Sequence, residues 1–139
     1  MNKALEKFLP IITPETEHYW EGTRKEELRL QECKNCGLIY FPPRPFCPEC
    51  SSKSVSVVVS SGKGKLYSYV ISHLPAPGFK PPFSIAVVQL NEGPRLMTNI
   101  VQCPQTPEAL LLDMPLVAIY EKRSETITVP LFRPDEDFS

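Results

Sequence analysis

Two matched pairs of cysteines constrain this chain more than any other feature. The pairs are Cys33-Lys34-Asn35-Cys36 and Cys47-Pro48-Glu49-Cys50, and ten residues, 37–46, separate them. A C-x2-C segment forms a tight turn whose two sulfurs converge, and two such turns supply the four thiolates of a closed, tetrahedral Zn²⁺ site. Because sulfur fills all four positions, none is open for a substrate. The spacing therefore predicts one structural Zn²⁺ per chain, held by Cys33, Cys36, Cys47 and Cys50, and a function that lies elsewhere.

The same cysteines allow two other interpretations. Four thiolates in C-x2-C pairs also hold iron in electron-transfer centres, but no other feature of the sequence indicates a redox partner, so zinc is the favoured ion. A disulfide framework would fit an exported protein, yet Met1–Lys7 lacks the apolar stretch of a signal peptide. The cysteines therefore indicate a reducing compartment, and we expect the cytoplasm.

Charge and hydropathy argue against two classes of partner. The formal net charge is −1 and the isoelectric point is about 6.1, without any long basic run, whereas strong binders of a phosphate backbone carry a basic stripe. No segment approaches the roughly 20 consecutive apolar residues of a membrane span. We therefore expect no membrane association and rank nucleic acid low among partners.

Residues 1–31 are predicted to form an N-terminal helical arm. Thr16 is a suitable N-cap for a helix that ends near Gly22, and a second charged helix is expected over Thr23–Leu30. The resulting hairpin would carry the aromatic side chains of Tyr19 and Trp20 on one face. That face either packs on the rest of the chain or docks on a partner or ligand, and the sequence favours neither.

Two further units are predicted to follow the arm. Residues 32–53 form the metal ribbon, and residues 54–139 form a β barrel with a C-terminal tail. The barrel prediction rests on short β-rich runs separated by turns. The runs are Val55–Val59, Lys65–Ile71, Ser84–Leu90, Arg95–Val101, Leu116–Tyr120 and Thr126–Val129. Pattern and spacing thus predict a mainly β protein with a small barrel.

Several motifs, in this order, resemble one known family. They are His18-Tyr19-Trp20-Glu21-Gly22, Leu30–Gly37, Pro42-Pro43-Arg44, Cys47–Cys50 and Ser61-Gly62-Lys63-Gly64-Lys65-Leu66-Tyr67-Ser68. The chain resembles, from about residue 15 to about residue 130, the acyl-CoA-associated proteins that carry a rubredoxin-like zinc ribbon and an OB-fold. The resemblance implies a five-stranded OB-fold barrel after the ribbon. Family members commonly have a glycine before the penultimate strand, where this chain has Asp113-Met114-Pro115.

The same resemblance implies a function. Members of the family are small companions of thiolase-like enzymes, so it implies a non-catalytic subunit that assembles with a thiolase or acyltransferase near the CoA channel of the partner. CoA or acyl-CoA would then be shared at the interface. The acyl group and the pathway are not indicated.

The residues themselves show no catalytic set. Thiolase chemistry needs a cysteine nucleophile with a neighbouring base, but Cys103 is the one cysteine outside the metal pairs, and His18 and His73 are the chain's two histidines. A cysteine followed by Pro104 is more typical of a packing residue. We therefore expect no catalytic residue in this chain.

Candidate contact residues come from the arm, the ribbon and the barrel. The proline-rich loop Pro75–Pro82 carries Phe79 and Lys80, and its restricted backbone suits a protein surface or an adenine ring. Other cations could meet CoA phosphates, although single cations are usually solvated. With the arm aromatics, the candidates for partner or CoA contact are Tyr19, Trp20, Arg44, Lys63, Lys65, Phe79 and Lys80.

The main alternative is a module that binds single-stranded nucleic acid. OB-folds and zinc ribbons both occur in such proteins, where aromatic side chains stack on bases. Tyr67 and Tyr69 lie two residues apart in a predicted strand, which would place both rings on one face. The acidic isoelectric point counts against this alternative.

Overall fold

The computed structural model describes residues 7–136, which form one short helix and eight strands. Residues 1–6 of the predicted arm and 137–139 of the predicted tail lie outside the described residues. The elements are α1 Glu17–Arg24, β1 Arg29–Cys33, β2 Ile39–Tyr40, β3 Val55–Val59, β4 Lys63–Ser72, β5 Phe83–Leu90, β6 Arg95–Thr98, β7 Pro115–Lys122 and β8 Thr128–Pro134. The predicted fold class is confirmed: the protein is mainly β, with a ribbon followed by an OB-type sheet.

The prediction of a second helix over Thr23–Leu30 is wrong. Helix α1 ends at Arg24, and Glu26 takes a left-handed backbone conformation with φ of 59°, which a right-handed helix cannot continue through. The chain then enters β1, where Leu30 is buried and pairs with Val58. Tertiary pairing therefore outweighs the helix propensity of the charged segment 23–30.

The strands form two antiparallel sheets. The first has the order β2-β1-β3 and carries the metal ribbon, and the second has the order β6-β5-β4-β7-β8. The strand Val55–Val59, expected in the barrel, pairs instead along its whole length with β1 in the first sheet. The division of the chain at residues 31 and 53 stays a prediction.

The five-stranded sheet curls on itself. A parallel bridge between Ile100 and Phe132 brings the chain after β6 against β8 at the opposite edge. Strand β8 runs to Pro134, beyond the predicted end at Val129, because an edge strand tolerates proline, whose missing N–H would interrupt a central ladder.

One apolar core fills the inside of the curled sheet and reaches the ribbon. The largest fully buried side chains include Phe132, Leu66, Leu90, Leu28 and Leu30. Leu28 and Leu30 come from the segment around β1, so the first sheet and the barrel pack on a shared core. This shared core fixes the ribbon sheet against the barrel. The described residues include no helix with the length and hydropathy needed to cross a membrane.

Candidate metal centre and contact surfaces

Four cysteine sulfurs converge at the tip of the ribbon. The Sγ atoms of Cys33 and Cys50 are 3.6 Å apart, as are those of Cys36 and Cys47, and all four lie within 4.8 Å of one another. Four Zn–S bonds of about 2.3 Å in a tetrahedron place sulfurs about 3.8 Å apart. The donor set and its spacing therefore fit one tetrahedrally coordinated ion.

The two cysteine turns repeat the same local structure. The Gly37 N–H donates to the Cys33 carbonyl, and the Ser51 N–H donates to the Cys47 carbonyl, at 2.9 and 3.0 Å. Gly37 and Ser51 each follow the second cysteine of a pair and take left-handed conformations, with φ of 80° and 63°. The sequence carries this turn signal only at Gly37, because serine rarely adopts that conformation.

Backbone N–H groups point at the sulfurs, as negative thiolates require. Those of Asn35 and Cys36 approach Cys33 Sγ at 3.3 and 3.4 Å, and that of Glu49 approaches Cys47 Sγ at 3.4 Å. Asn35 also crosses between the turns, since its Nδ2 donates to Cys50 Sγ at 3.5 Å. Such donors hold ligands in place and stabilise their charge. The cysteine spacing predicts the four ligands but does not indicate that Asn35 donates a hydrogen bond to one of them.

These hydrogen bonds shift the acidity of the thiols. The hydrogen bond from Asn35 is the largest influence that lowers the pKa of Cys50, to about 6. The backbone hydrogen bond from Cys36 is the largest influence that lowers the pKa of Cys33. At Cys33 and Cys50 a lowered pKa favours the thiolate, which is the form that binds metal. At Cys36 a backbone hydrogen bond from Leu38 lowers the pKa, but the neighbouring Cys47 thiol and desolvation outweigh it and raise the pKa to about 12. Cys33 and Cys47 are buried, whereas Cys36 and Cys50 are exposed at the tip.

Of the two predicted contact residues of the arm, Tyr19 lies in the core and Trp20 packs against the core while partly exposed. Tyr19 is only 6% exposed, and its ring packs against Trp20 edge to face at 4.9 Å and against Phe41 at 5.2 Å. Trp20 is half-buried and touches the core. Of the two interpretations left open for this face, packing on the chain accounts for the Tyr19 ring.

The other predicted contact residues are spread over separate surfaces. Arg44 is exposed in the ribbon. Lys63 and Lys65 are about half exposed and form ion pairs with Asp135 at 3.8 Å and Asp113 at 3.7 Å. Within residues 7–136, no contact joins the remaining candidates into one cluster; these are Arg44, Lys63, Lys65, Phe79 and Lys80.

The proline loop presents an aromatic pair beside a cavity. Phe79 stacks on Phe83 with ring centres 5.0 Å apart, and Lys7 Nζ lies 4.8 Å from the Phe79 ring centre. Lys80 is exposed next to them. The rings border a cavity of about 310 Å³, whose lining also includes Cys103.

Cys103 has no base at hydrogen-bonding distance in the part of the chain that the structure describes. Its sulfur is 3.8 Å from the side-chain nitrogen of Gln105, an amide that cannot accept a proton. Burial raises the pKa of the Cys103 thiol, which disfavours the nucleophilic thiolate. The surroundings of Cys103 therefore fit a packing residue.

The predicted stacking face of Tyr67 and Tyr69 is wrong. A β-bulge shifts the register between Leu66 and Ser68. After the bulge, the side chains that would have faced one side of the sheet face the other side. Tyr67 is 44% exposed on the outside, whereas Tyr69 packs against the core. The Tyr67 ring is also covered by Arg95, whose guanidinium carbon lies 3.8 Å from the ring centre.

Fold and site together define a class of protein: a small β protein in which a four-thiolate ribbon leads directly into an OB-type barrel. Comparison with known families agrees with this order. Residues 20–56 match the family described as the rubredoxin-like zinc ribbon domain of ChsH2, and residues 57–119 match the C-terminal OB-fold domain of ChsH2.

The chain belongs to the DUF35 family. It is 38% identical over 96 residues to a DUF35 domain-containing scaffold protein of Methanocaldococcus jannaschii, and the match covers 67% of each chain. It is also similar to subunits of enzymes. A probable enoyl-CoA hydratase alpha subunit of Thermomonospora curvata is 35% identical over 126 residues, and the benzoylsuccinyl-CoA thiolase subunit BbsA of Thauera aromatica is 33% identical over 81 residues.

These matches cover different shares of the relatives. The match spans 90% of this chain but 39% of the hydratase subunit, and 58% of this chain and 56% of the thiolase subunit. Among solved structures, a chain of the "Ltp2-ChsH2(DUF35) aldolase" superposes with a TM-score of 0.80 at 35% identity, covering 91% of this chain and 98% of that chain. The likeness to that structure therefore extends over nearly the full length of both chains.

Proposed function

We propose that this protein is a non-catalytic accessory subunit of a thiolase-type acyl-CoA acyltransferase complex, needed for the assembly or activity of its partner enzyme. The observation that carries the proposal is the near full-length likeness to a DUF35 chain of an aldolase named as an Ltp2–ChsH2 pair. A relative named as a thiolase subunit supports the same role. A chain of this design supplies its partner with a surface rather than with reacting groups.

The chemistry of the described residues supports a subunit without catalytic groups. The four cysteine sulfurs would saturate a tetrahedral ion and leave no open position for a substrate. Cys103 lies against an amide, and its pKa is raised by burial. The reacting groups of a thiolase-type step would then come from the partner.

The metal in this proposal is one structural Zn²⁺ per chain. Thiolate ligands suit Zn²⁺, and the ribbon family to which residues 20–56 belong is described as a zinc ribbon. When bound, the ion would cross-link the two cysteine turns and supply folding free energy to the ribbon. Free thiols need a reducing compartment, so we place the protein in the cytoplasm.

The CoA part of the proposal concerns the interface with the partner. Phe79 is half-buried and stacks on Phe83, and Lys80 is exposed beside it, so one loop holds an aromatic ring and a cation, the two groups that suit an adenine ring and a phosphate. Arg44, Lys63 and Lys65 are additional cations for CoA phosphates, but Lys63 and Lys65 already form ion pairs. We therefore rank the Phe79–Lys80 loop first among candidate CoA contacts.

Isolation of the tagged chain from its native host tests the proposal. The account predicts a stoichiometric complex with a thiolase-fold subunit, identified by mass spectrometry of the eluate after size-exclusion chromatography. A matched comparison is the Cys36→Ser variant, which should lose the metal and the folded ribbon while the barrel stays folded. Elution of the wild-type chain as a bare monomer, or with nucleic acid, would count against the proposal.

A further inference from the structure

Four apolar side chains lie on the outer face of the barrel. Strand registers place Val70 opposite Ile85 and Val87 opposite Met97, and directly paired residues of antiparallel strands point to the same side. Val70 is 61% exposed and Met97 is 72% exposed. We call these four residues, Val70, Ile85, Val87 and Met97, the outer patch.

The β-bulge is the reason why this patch exists. Before the bulge, Leu66 points into the core, and after it Tyr69 and Ile71 do so. The change of phase turns Val70 outward, next to Ile85. Without the bulge, the alternation of a regular strand would bury Val70 with Leu66. The sheet therefore exposes the β-branched side chain of Val70 on its solvent side, although polar residues usually occupy the solvent side of a strand with one buried face.

Positive charge borders the outer patch on one side. Lys65 pairs in register with Gln89, and Gln89 pairs with Arg95, so a polar and cationic row lies next to the apolar rows. Within residues 7–136 no carboxylate forms an ion pair with Arg95; its guanidinium rests on Tyr67. No aspartate or glutamate occurs in β4, β5 or β6. The face is thus apolar, and its border carries Arg95 and Lys65, of which Lys65 pairs with the exposed Asp113.

This charge pattern selects one kind of occupant. A second copy would present the same face, whose strands carry cations and no carboxylate. Asp113, before β7, is an exposed carboxylate beside this row but already pairs with Lys65, so a self-paired interface supplies no unpaired carboxylate from these strands to meet Arg95. Nucleic acid prefers aromatic platforms for its bases, but the outer patch is aliphatic and the Tyr67 ring is covered. A protein surface that is apolar at its centre and carries carboxylates on one side satisfies both features.

We infer that the outer patch is the docking surface for the enzyme subunit, and that the docked surface is apolar with acidic side chains facing Arg95. This inference rests on the proposed function for the identity of the partner as an enzyme subunit. Exposed apolar patches with a polar border mark interaction sites in proteins of this size. The patch lies on the five-stranded sheet and not on the ribbon, so the metal centre supports the shape of the molecule without forming this contact.

A matched pair of valine variants tests the docking surface. Val70→Glu places a carboxylate in the centre of the patch, and Val57→Glu places the same group on β3 of the other sheet, where the valine is 46% exposed. Binding of each variant to the purified partner subunit is measured by isothermal titration calorimetry, and folding is checked by circular dichroism and thermal unfolding. Val70→Glu and Met97→Glu should each raise Kd by about 30-fold or more, as residues at the centre of an interface do, and Val57→Glu by less than about 3-fold.

Charge complementarity is tested separately at the border. Arg95→Gln should raise Kd by about 5-fold or more at low salt and should weaken the salt dependence of binding, since a charge pair across an interface is screened by ions. Lys34→Gln, on the exposed side of the first cysteine turn, serves as the matched control and should leave both quantities unchanged. Equal salt dependence in the wild type and Arg95→Gln would overturn the acidic character assigned to the partner surface.

The outcomes separate this inference from the proposed function. If the wild type binds the enzyme subunit and Val70→Glu and Met97→Glu bind equally well, the docking surface is wrong while the proposed function stands. If the wild type binds no enzyme subunit, the proposed function fails and the docking surface falls with it. A wild-type dimer that Val70→Glu converts to a monomer would reassign the patch to self-association. Retention of single-stranded DNA or RNA on a filter by the wild type, lost in Met97→Glu, would reassign the patch to nucleic acid.

Discussion

The ribbon and the barrel of this protein are held together by different physical means. In the ribbon, β2 has two residues, and the buried side chains at the tip are the sulfur ligands Cys33 and Cys47. In the barrel, a continuous cluster of apolar side chains such as Leu66 and Phe132 is removed from water. A segment as small as the ribbon buries little surface, so we expect its folding to depend on a bound metal, whereas the barrel depends on apolar burial.

The two regions are nevertheless not independent. Leu28 and Leu30, which border and begin the ribbon sheet, lie in the barrel core. Where β3 leaves that sheet, the Glu92 carboxylate accepts hydrogen bonds from the Ser60 hydroxyl at 2.7 Å and from the Ser61 N–H at 2.8 Å. The comparison therefore predicts that damage to the ribbon is local at first, and that damage at the shared core or at Glu92 reaches both regions.

Removing one sulfur ligand should have the largest effect. Cys36→Ser should abolish stoichiometric zinc binding. In isolated zinc-finger peptides, the binding of structural zinc contributes about 10–16 kcal/mol of apparent free energy, and an incomplete set of thiolates loses much of this free energy. Amide hydrogen exchange should show loss of protection in β1 and β2, with protection retained in β5 and β7. Zinc content is measured by inductively coupled plasma mass spectrometry.

Cys103→Ser is the control for that experiment. Its sulfur lies near Gln105, apart from the four converging sulfurs, so its zinc content should equal that of the wild type. Equal zinc content in wild type and Cys36→Ser would show that the four sulfurs do not hold the ion together.

A core truncation in the barrel should have the second largest effect. Leu66 is fully buried, so Leu66→Ala should lower the free energy of unfolding by about 2–5 kcal/mol through lost burial and a residual cavity. Denaturant unfolding measures this, and zinc content should stay at the wild-type level. Leu74→Ala, at a side chain that is 76% exposed, should change stability by less than about 0.5 kcal/mol.

The link at Glu92 should give a pH-dependent effect of intermediate size. Burial opposes the charged form of Glu92, but the hydrogen bonds from Ser61 and Ser60 outweigh it and lower the pKa of the carboxyl. A lowered folded-state pKa gives stability that is complete above the ordinary value of about 4.3 and is lost as pH falls through the folded value. Glu92→Gln should therefore be less stable than wild type at pH 7, by about 1 kcal/mol, because solvent around the partly exposed carboxyl weakens hydrogen bonds that contribute about 1.5–3 kcal/mol to a buried charged group.

The difference between the two proteins isolates Glu92, because both keep the same four cysteines. Urea unfolding from pH 7 to pH 3 should show the stability gap closing as Glu92 becomes protonated in the wild type. Ser60→Ala should give part of the same change, since its hydroxyl is one of the two donors. A gap that stays constant over this range would contradict the assigned pKa shift.

Two left-handed residues offer the smallest effect and a direct comparison between the regions. Ser51 in the ribbon and Asp113 in the barrel have φ of 63° and 67°, a conformation that costs an ordinary residue roughly 1 kcal/mol. Glycine removes this cost but loses about half of the gain to the greater freedom of the unfolded chain. Ser51→Gly should tighten zinc binding slightly, and Asp113→Gly should raise Tm by a few degrees at most.

The Asp113 variant also tests the departure from the family pattern. The resemblance described above implies a glycine before the penultimate strand, and Asp113, two residues before β7, takes a left-handed conformation with φ of 67°. Its ion pair with Lys65 at 3.7 Å is exposed on both sides and contributes little. A loss of more than about 1 kcal/mol in Asp113→Gly would show that this ion pair outweighs the backbone strain.

Local patterns predicted the features that depend on local chemistry. The cysteine spacing predicted the convergence of four sulfurs, and the runs around Lys65–Ile71 and Ser84–Leu90 predicted β4 and β5. The predicted end of β8 was too early, at Val129, because Pro130 normally ends a strand and the sequence does not show that this strand lies at an edge. The second helix of the arm was predicted wrongly because a glutamate at position 26 gives no indication of a left-handed backbone conformation.

Features that depend on pairing between distant segments were not predictable in the same way. The sheet to which Val55–Val59 belongs is decided by its contacts with β1, and a β-branched strand fits either sheet. The bulge between Leu66 and Ser68 leaves no mark in composition, yet it separates Tyr67 from Tyr69 and turns Val70 outward. The outer patch was missed for this reason, since period-two alternation gives the wrong face after a bulge.

The most direct test of the account is the rate of thiolysis or condensation by the partner enzyme, measured with and without this chain at equal partner concentration. The account predicts that the partner alone is inactive or strongly impaired, and that adding the zinc-loaded wild-type chain restores activity with saturation at a fixed stoichiometry. A partner that is fully active alone, and whose rate does not change when this chain is added, would contradict the role of an accessory subunit.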